Sequence, residues 1–267
     1  PCMFSRMGRQ DYDARKAKAQ DNAIDVLKHA GIALDWLDND SNCKGVCKNI
    51  DNVVIDHQSD AELCNGQSCY DQVLLNALDN RLQSMPAKDS LLVLHIMGSH
   101  GPTYYQRYPE QHRFFKPDCQ RSDIQNCSDE QLMNTYDNTI LYTDYIVSQV
   151  IKKLQAKSRH FDTAMLYISD HGESLGESGM YLHGTPYAFA PEEQTTVPFL
   201  AWLSKDLVTQ NGLDTNCLAK EALRGGYSHD NLFDSLLGIM NVETDVYQPQ
   251  KDIFAQCRLN KSVKSIK

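Results

Sequence analysis

Two uninterrupted apolar runs restrict what this chain can fold into more than any other feature. They are "SLLVLHIMG" at 90–98 and "TAMLYIS" at 163–169. Neither alternates apolar with polar, so each reads as a strand covered on both faces, the situation of a parallel sheet packed between helices. Both are far short of the roughly 20 residues a membrane-spanning helix requires. The segments around them fit that reading. "DNAIDVLKHAG" (21–31) sets Ala23, Ile24, Leu27 and Ala30 on one helical face and ends on glycine. "IALDWLDND" (32–40) is a strand leaving into an acidic loop, and "DQVLLNALDNRLQSM" (71–85) is a second helix. Ser128 and Gln131 form a capping box for a long helix with Leu132, Tyr136, Ile140, Val147, Val150 and Leu154 at helical spacing. "TVPFLAWLS" (196–204) is a further strand, and "YSHDNLFDSLLGIMNV" (227–242) reads as a capped amphipathic helix. The order β-α-β-α predicts an α/β fold with a mostly parallel central sheet flanked by helices.

A chain of 267 residues with 41% apolar and 23% charged residues can bury a substantial core. Its formal net charge of −9 argues against a nucleic-acid partner. Basic residues do gather locally, at Arg107, Arg113, Lys116 and Arg121 and in the tail at Lys261, Lys264 and Lys267. Such clusters are ordinarily solvated surface; the functional alternative is contact with a membrane or an anionic substrate. No signal peptide is present, and the first residue is Pro1 rather than methionine. The expectation is therefore a single soluble domain over 1–267 from which an N-terminal part is missing.

Nine cysteines narrow the compartment. They stand at 2, 43, 47, 64, 69, 119, 127, 217 and 257. "CKGVC", "CNGQSC" and "CQRSDIQNC" are close pairs, but no Cys-x-x-Cys knuckle of a zinc ribbon occurs. Short disulfide loops, Cys43–Cys47, Cys64–Cys69 and Cys119–Cys127, are the better reading and imply an oxidising compartment. Pairing Cys217 with Cys257 accounts for eight, and Cys2 is left over, with a partner expected upstream of Pro1.

In parallel sheets, ligands collect beyond the carboxyl ends of the strands. The first apolar run delivers His95 near its end and His100 just past it, in "MGSHGP". The second delivers Asp170 and His171, followed by the loop "GESLGESGMYLHG", which holds Glu173 and His183. Taken singly, His95 reads as a hydrogen-bonded core histidine and His100 as a loop residue. Together, a carboxylate and several imidazoles at two strand ends form the donor set of a zinc site with an open position.

The segments "PCMFSRMGR" (1–9), "DNDSNCKGVC" (38–47), "HIMGSHGPTYYQRYP" (95–109), "SDHGESLGESGMYLHGTPYAFAP" (169–191) and "YSHDNLFDSLLGIM" (227–240) form an ordered series. In that order they resemble the catalytic domain of the lipid A phosphoethanolamine transferases, the group that includes the mobile colistin-resistance enzymes. The resemblance covers essentially the whole chain. It implies an alkaline-phosphatase/sulfatase-like fold on the periplasmic face of the bacterial inner membrane, carried by an N-terminal membrane domain. It further implies a monomer that transfers phosphoethanolamine from phosphatidylethanolamine to a lipid A phosphate, conferring polymyxin and colistin resistance. A threonine would carry the group between donor and acceptor, with zinc as the cofactor. Zinc suits that chemistry because a threonine hydroxyl is a poor nucleophile at neutral pH and the phosphoryl oxygens gather negative charge.

Residue by residue, the resemblance makes Asp170 and His171 zinc ligands. His100 and His183 match histidines that hold the phosphoethanolamine phosphate or a second zinc, and His95 matches a further active-site histidine. Lys44 and Asp40 fall in the loop that contacts the head group. Glu173 would orient a ligand from behind, or would be a solvent-facing loop acid. The family's nucleophilic threonine and a glutamate zinc ligand fall before Pro1, and Thr103, Thr185 and Thr195 do not occupy the motif position. This chain alone is therefore expected to be inactive. The alternatives are another phosphotransferase or hydrolase of the alkaline-phosphatase superfamily, such as a phosphoglycerol transferase or a sulfatase, or a non-catalytic module that binds metal or lipid.

Overall fold

The computed structural model describes residues 2–259, so the basic tail at Lys261, Lys264 and Lys267 lies outside the described residues. A short helix α1 (Ala14–Lys18) precedes α2 (Ala23–His29). The Asn22 side chain accepts from the amides of Ile24 and Asp25, and the Asp25 carboxylate accepts from the Asn22 amide, a reciprocal cap that satisfies otherwise orphaned donors. Then come β1 (Ala33–Asp38), β2 (Asp51–Val54), α3 (Gln72–Ser84) and β3 (Ser90–His95). β1 lies between β2 and β3 and runs parallel to both, with Asp38 opposite His95. The long α4 (Asp129–Lys157), capped by Ser128 and Gln131, carries the chain to β4 (Ala164–Ile168). A small hairpin, β5 (Ser174–Leu175) with β6 (Tyr181–Leu182), and a turn of helix α5 (Glu192–Thr195) lead to β7 (Phe199–Leu203). The helices α6 (Lys205–Gln210), α7 (Thr215–Arg224) and α8 (Leu232–Ile239) follow.

The pleat sorts the apolar strands between two helical layers. Leu91 of β3 and Leu166 and Ile168 of β4 pack with α2 and α8, around Leu27, Phe233 and Leu237. Their alternate neighbours, Leu92, Leu94 and Met165, pack on the opposite side with α3 and α4, around Leu78, Tyr142 and Ile146. This is the α/β/α arrangement expected from the uninterrupted apolar runs.

Three expectations need correction. β7 pairs antiparallel with β4, Met165 opposite Trp202. After β4 the chain passes through the hairpin and a single turn of helix rather than a long crossover helix, and so returns in the opposite sense. Every residue of β3 and β4 is half-buried rather than fully buried, because among the described residues each has a strand on one side only. Finally, α8 is not amphipathic: all eight of its residues are buried, Asp234 and Ser235 included. The segment wrapped over it supplies the polar partners, since Asp234 accepts from the Gln248 amide (2.7 Å) and Ser235 Oγ from that of Ile253 (3.1 Å).

The disulfides are Cys43–Cys47, Cys64–Cys69 and Cys119–Cys127, as the spacing predicted, and Cys217–Cys257, the remaining pair; Cys2 is an exposed free thiol.

Candidate active site

The carboxyl ends of β3 and β4 converge. The His100 ring lies 5.4 Å from that of His183 and 6.5 Å from that of His171, and the His171 and His183 rings stack with centroids 3.8 Å apart. Each of the three imidazoles turns Nδ1 to a local acceptor. For His100 it is the Gly101 carbonyl (2.8 Å), for His171 the Gly172 carbonyl (3.0 Å), and for His183 the Glu173 carboxylate (2.9 Å). With Nδ1–H so engaged, Nε2 of each ring presents its lone pair, the tautomer a metal or phosphoryl-binding histidine needs.

Glu173 is the buried member of the group, 6% exposed. One of its oxygens meets His183 and the other accepts from the Tyr104 hydroxyl (3.0 Å). Burial, and then the neighbouring carboxylate, push the Tyr104 phenol well above its ordinary range, so it stays a donor. One ligand atom each from His171, Glu173 and His183 lies within 4.8 Å of the others. Imidazoles and carboxylates are zinc-type donors, but both oxygens of Glu173 are already engaged, so the histidines are the members of this group open to a metal. Asp170 stands beside them, with Oδ1 3.8 Å from His171 Nε2, but its side chain is 72% exposed.

The second group is built on β1 and β3. Trp36 Nε1 donates to Asp38 Oδ2 (3.0 Å), and His95 Nδ1 approaches the same oxygen at 3.2 Å without hydrogen-bond alignment. His95 Nε2 lies 3.6 Å from Asp40 Oδ2. Asp38 also accepts from the Asp40 amide (2.9 Å), which fixes the start of the acidic loop. Lys44 lies in that loop, but its ammonium donates to the Ser41 carbonyl (2.8 Å) within its own turn.

Several further residues brace the site, none of them assigned that role in the sequence. Asp71, buried ahead of α3, accepts from the amides of Met97 and Gly98 and from Asn39 Nδ2, all at 2.8 Å. It thereby ties the loop after β1 to the loop bearing His100, and burial raises its carboxyl above the usual range. Arg107 Nε donates to the His100 carbonyl (2.8 Å). Gln194, also buried, donates to Ser174 Oγ (2.9 Å) and accepts from the Thr185 amide (3.3 Å), joining the two arms of the His183 loop. At Gly172 the Glu193 carbonyl comes so close that a Cβ would collide with it. No other residue type fits between His171 and Glu173 with this backbone. Of these, Gly172 left a local signal, the glycine after Asp-His, and Arg107 reads in the sequence only as part of a basic cluster; Asp71 and Gln194 act on residues distant in the chain.

Comparisons with known proteins bear on the whole chain. A family model described as Sulfatase matches residues 1–242. The phosphoethanolamine transferase EptA of Escherichia coli (strain K12) is 47% identical over 258 residues, covering 97% of this chain and 47% of the relative. Among solved structures, the soluble domain of lipooligosaccharide phosphoethanolamine transferase A from Neisseria meningitidis superposes with a TM-score of 0.94 at 44% identity, over 97% of this chain and 78% of that one. The integral membrane form of lipooligosaccharide phosphoethanolamine transferase A (EptA) from the same organism gives 0.93 at 45% identity, covering 97% of this chain and 48% of that one. The chain thus spans about half the length of the curated relatives it matches.

Proposed function

This chain belongs to the sulfatase family and, within it, to the phosphoethanolamine transferases, and we propose that it is the catalytic domain of a protein that transfers phosphoethanolamine from phosphatidylethanolamine to a lipid A phosphate. The domain works at the periplasmic face of the bacterial inner membrane, tethered by a segment preceding Pro1. The observation that carries the reading is the trio of His100, His171 and His183, all with Nδ1 engaged and Nε2 free at the carboxyl ends of β3 and β4.

Zinc, when bound, stabilises the ionised nucleophile and the charge on the phosphoryl oxygens. His171 would hold it, with Asp170 as the adjacent carboxylate and donors from upstream of Pro1 completing the set. Glu173 fixes the His183 ring from behind, so that His183 and His100 face the transferred phosphate. Asp40 and Lys44 lie on the loop toward the ethanolamine head, where a carboxylate complements its ammonium. In the first step a threonine Oγ, supplied from before Pro1, attacks phosphorus. The bond to the diacylglycerol oxygen breaks, and that oxygen takes a proton. In the second, a lipid A phosphate oxygen attacks the same phosphorus and the threonine hydroxyl is restored. The product carries a new ammonium beside its phosphate, which weakens attraction to cationic polymyxins and accounts for resistance.

The test is covalent labelling. Incubated with a phosphatidylethanolamine analogue, a longer protein that includes the upstream threonine should gain a phosphoethanolamine adduct on it, and residues 1–267 alone should gain none. An adduct on any residue of 1–267 would show that the nucleophile has been misplaced.

A further inference from the structure

Every exposed aromatic side chain among the described residues lies on one of the two stretches that leave the carboxyl ends of β3 and β4. Phe114 (66% exposed) and Phe115 are on the first; Tyr181, Tyr187 and Phe189 (78% exposed) are on the second. Exposed apolar residues scattered over a surface are ordinary, but confinement of the aromatic ones to the two stretches that carry the site is not.

These side chains are held in place by the fold. Asn138, fully buried on α4, accepts from the amides of Phe114 (2.8 Å) and Phe115 (2.9 Å) and donates to the Phe115 carbonyl (3.0 Å). The next residue, Thr139, donates to Ser99 Oγ (2.7 Å), the neighbour of His100. Adjacent residues of one helix thus position the phenylalanine pair and the candidate site together. On the other side, Tyr187 and Phe189 follow closely on His183, and the Arg9 guanidinium lies over the Tyr187 ring. Arg113 and Lys116 flank the phenylalanines, paired with Asp118 and with Glu110.

We propose that this aromatic rim seats in the head-group layer of the bilayer, so that the site opens onto lipid phosphates rather than bulk water. The inference rests on the reading above, in which both substrates are membrane lipids and the domain is tethered to the membrane. Tyrosine, with an apolar ring and a polar hydroxyl, favours the membrane–water interface, and phenylalanine inserts just below it among the acyl chains while basic residues meet the phosphates. A site on the same two stretches as such rings reaches a lipid phosphate without lifting the acyl chains into water. Five rings and few unpaired cations orient a domain that is already tethered; they do not recruit it from solution.

Depth-dependent quenching tests this. Phe114→Trp, Phe189→Trp and the control Leu223→Trp would each be introduced into the longer, membrane-bound protein. Leu223 is 90% exposed on α7, outside the rim. The proteins would be reconstituted in vesicles of phosphatidylethanolamine and phosphatidylglycerol containing lipids brominated on the acyl chains. Bromine should quench positions 114 and 189 several-fold more than position 223, above the common background of Trp36 and Trp202. Equal quenching at all three positions overturns the proposal. So does a blue-shifted but unquenched signal at 114 and 189, which would place the rim against protein. Transfer without rim quenching sinks only the rim; rim quenching without transfer upholds it and sinks the transfer reading.

Discussion

At the scale of single residues, the bond from His183 to Glu173 carries the most consequence. A neutral histidine whose Nδ1–H is not held can flip or change tautomer and withdraw its Nε2 lone pair. Glu173 prevents this because it is buried and is itself fixed by Tyr104. Glu173→Gln removes the charge while keeping the volume. In the longer protein it should lower transfer by about 10- to 100-fold, the usual effect of removing a group behind a metal or phosphate ligand. The melting temperature should stay near that of the parent protein, and steady-state kinetics beside a thermal melt would check both. Undiminished transfer would reduce Glu173 to a packing residue. That His95, His100, Asp170 and His171 stand at or just beyond two strand ends was legible from sequence because the apolar runs end there, whereas His183 comes from the loop behind. The role of Glu173 stood open between a ligand-orienting acid and a solvent-facing one, and its burial excludes the solvent-facing one. Tyr104 gave no signal, since its partner lies 69 positions away and nothing local in "GPTYYQ" distinguishes the first tyrosine from the second.

At the scale of elements, caps and cysteine loops were readable because both are local. Asn22 and Ser128 start their helices through bonds to residues within three positions, and the three short disulfides close within eight. What escaped was decided by packing at a distance. The direction of β7 depends on how the chain returns from the site loop, and the burial of α8 depends on the segment that wraps over it. The disulfides differ in the loop they close, and their contributions should differ accordingly. Cys217–Cys257 spans 40 positions and joins α7 to the C-terminal segment. In the loop-entropy description it should contribute about 4 kcal/mol, against about 2 kcal/mol for Cys43–Cys47. Paired serine substitutions followed by denaturant melts would show this order, and a larger loss at Cys43–Cys47 would contradict it.

At the scale of the molecule, the carboxyl ends of β3 and β4 gather the chemistry. Two helical layers cover the faces of β3 and β4, so the strand ends are the place where polar side chains can meet without burying unpaired charge. There the fold sets three histidines with free Nε2 atoms and a buried glutamate behind one of them, and at the ends of β1 and β3 it sets an acidic loop against His95. The overall architecture was predictable because its layers follow from apolar patterning alone. The grouping at the site was only partly so, because Asp170 is the exposed neighbour and His171, Glu173 and His183 form the compact set. The central claim is that this set serves phosphoethanolamine transfer, and intact-mass analysis of lipid A tests it most directly. Cells producing the longer protein should show lipid A carrying added phosphoethanolamine. The His171→Ala variant, present at the same level in the membrane, should leave lipid A unmodified. Lipid A modified as fully by His171→Ala as by the parent protein would contradict the account.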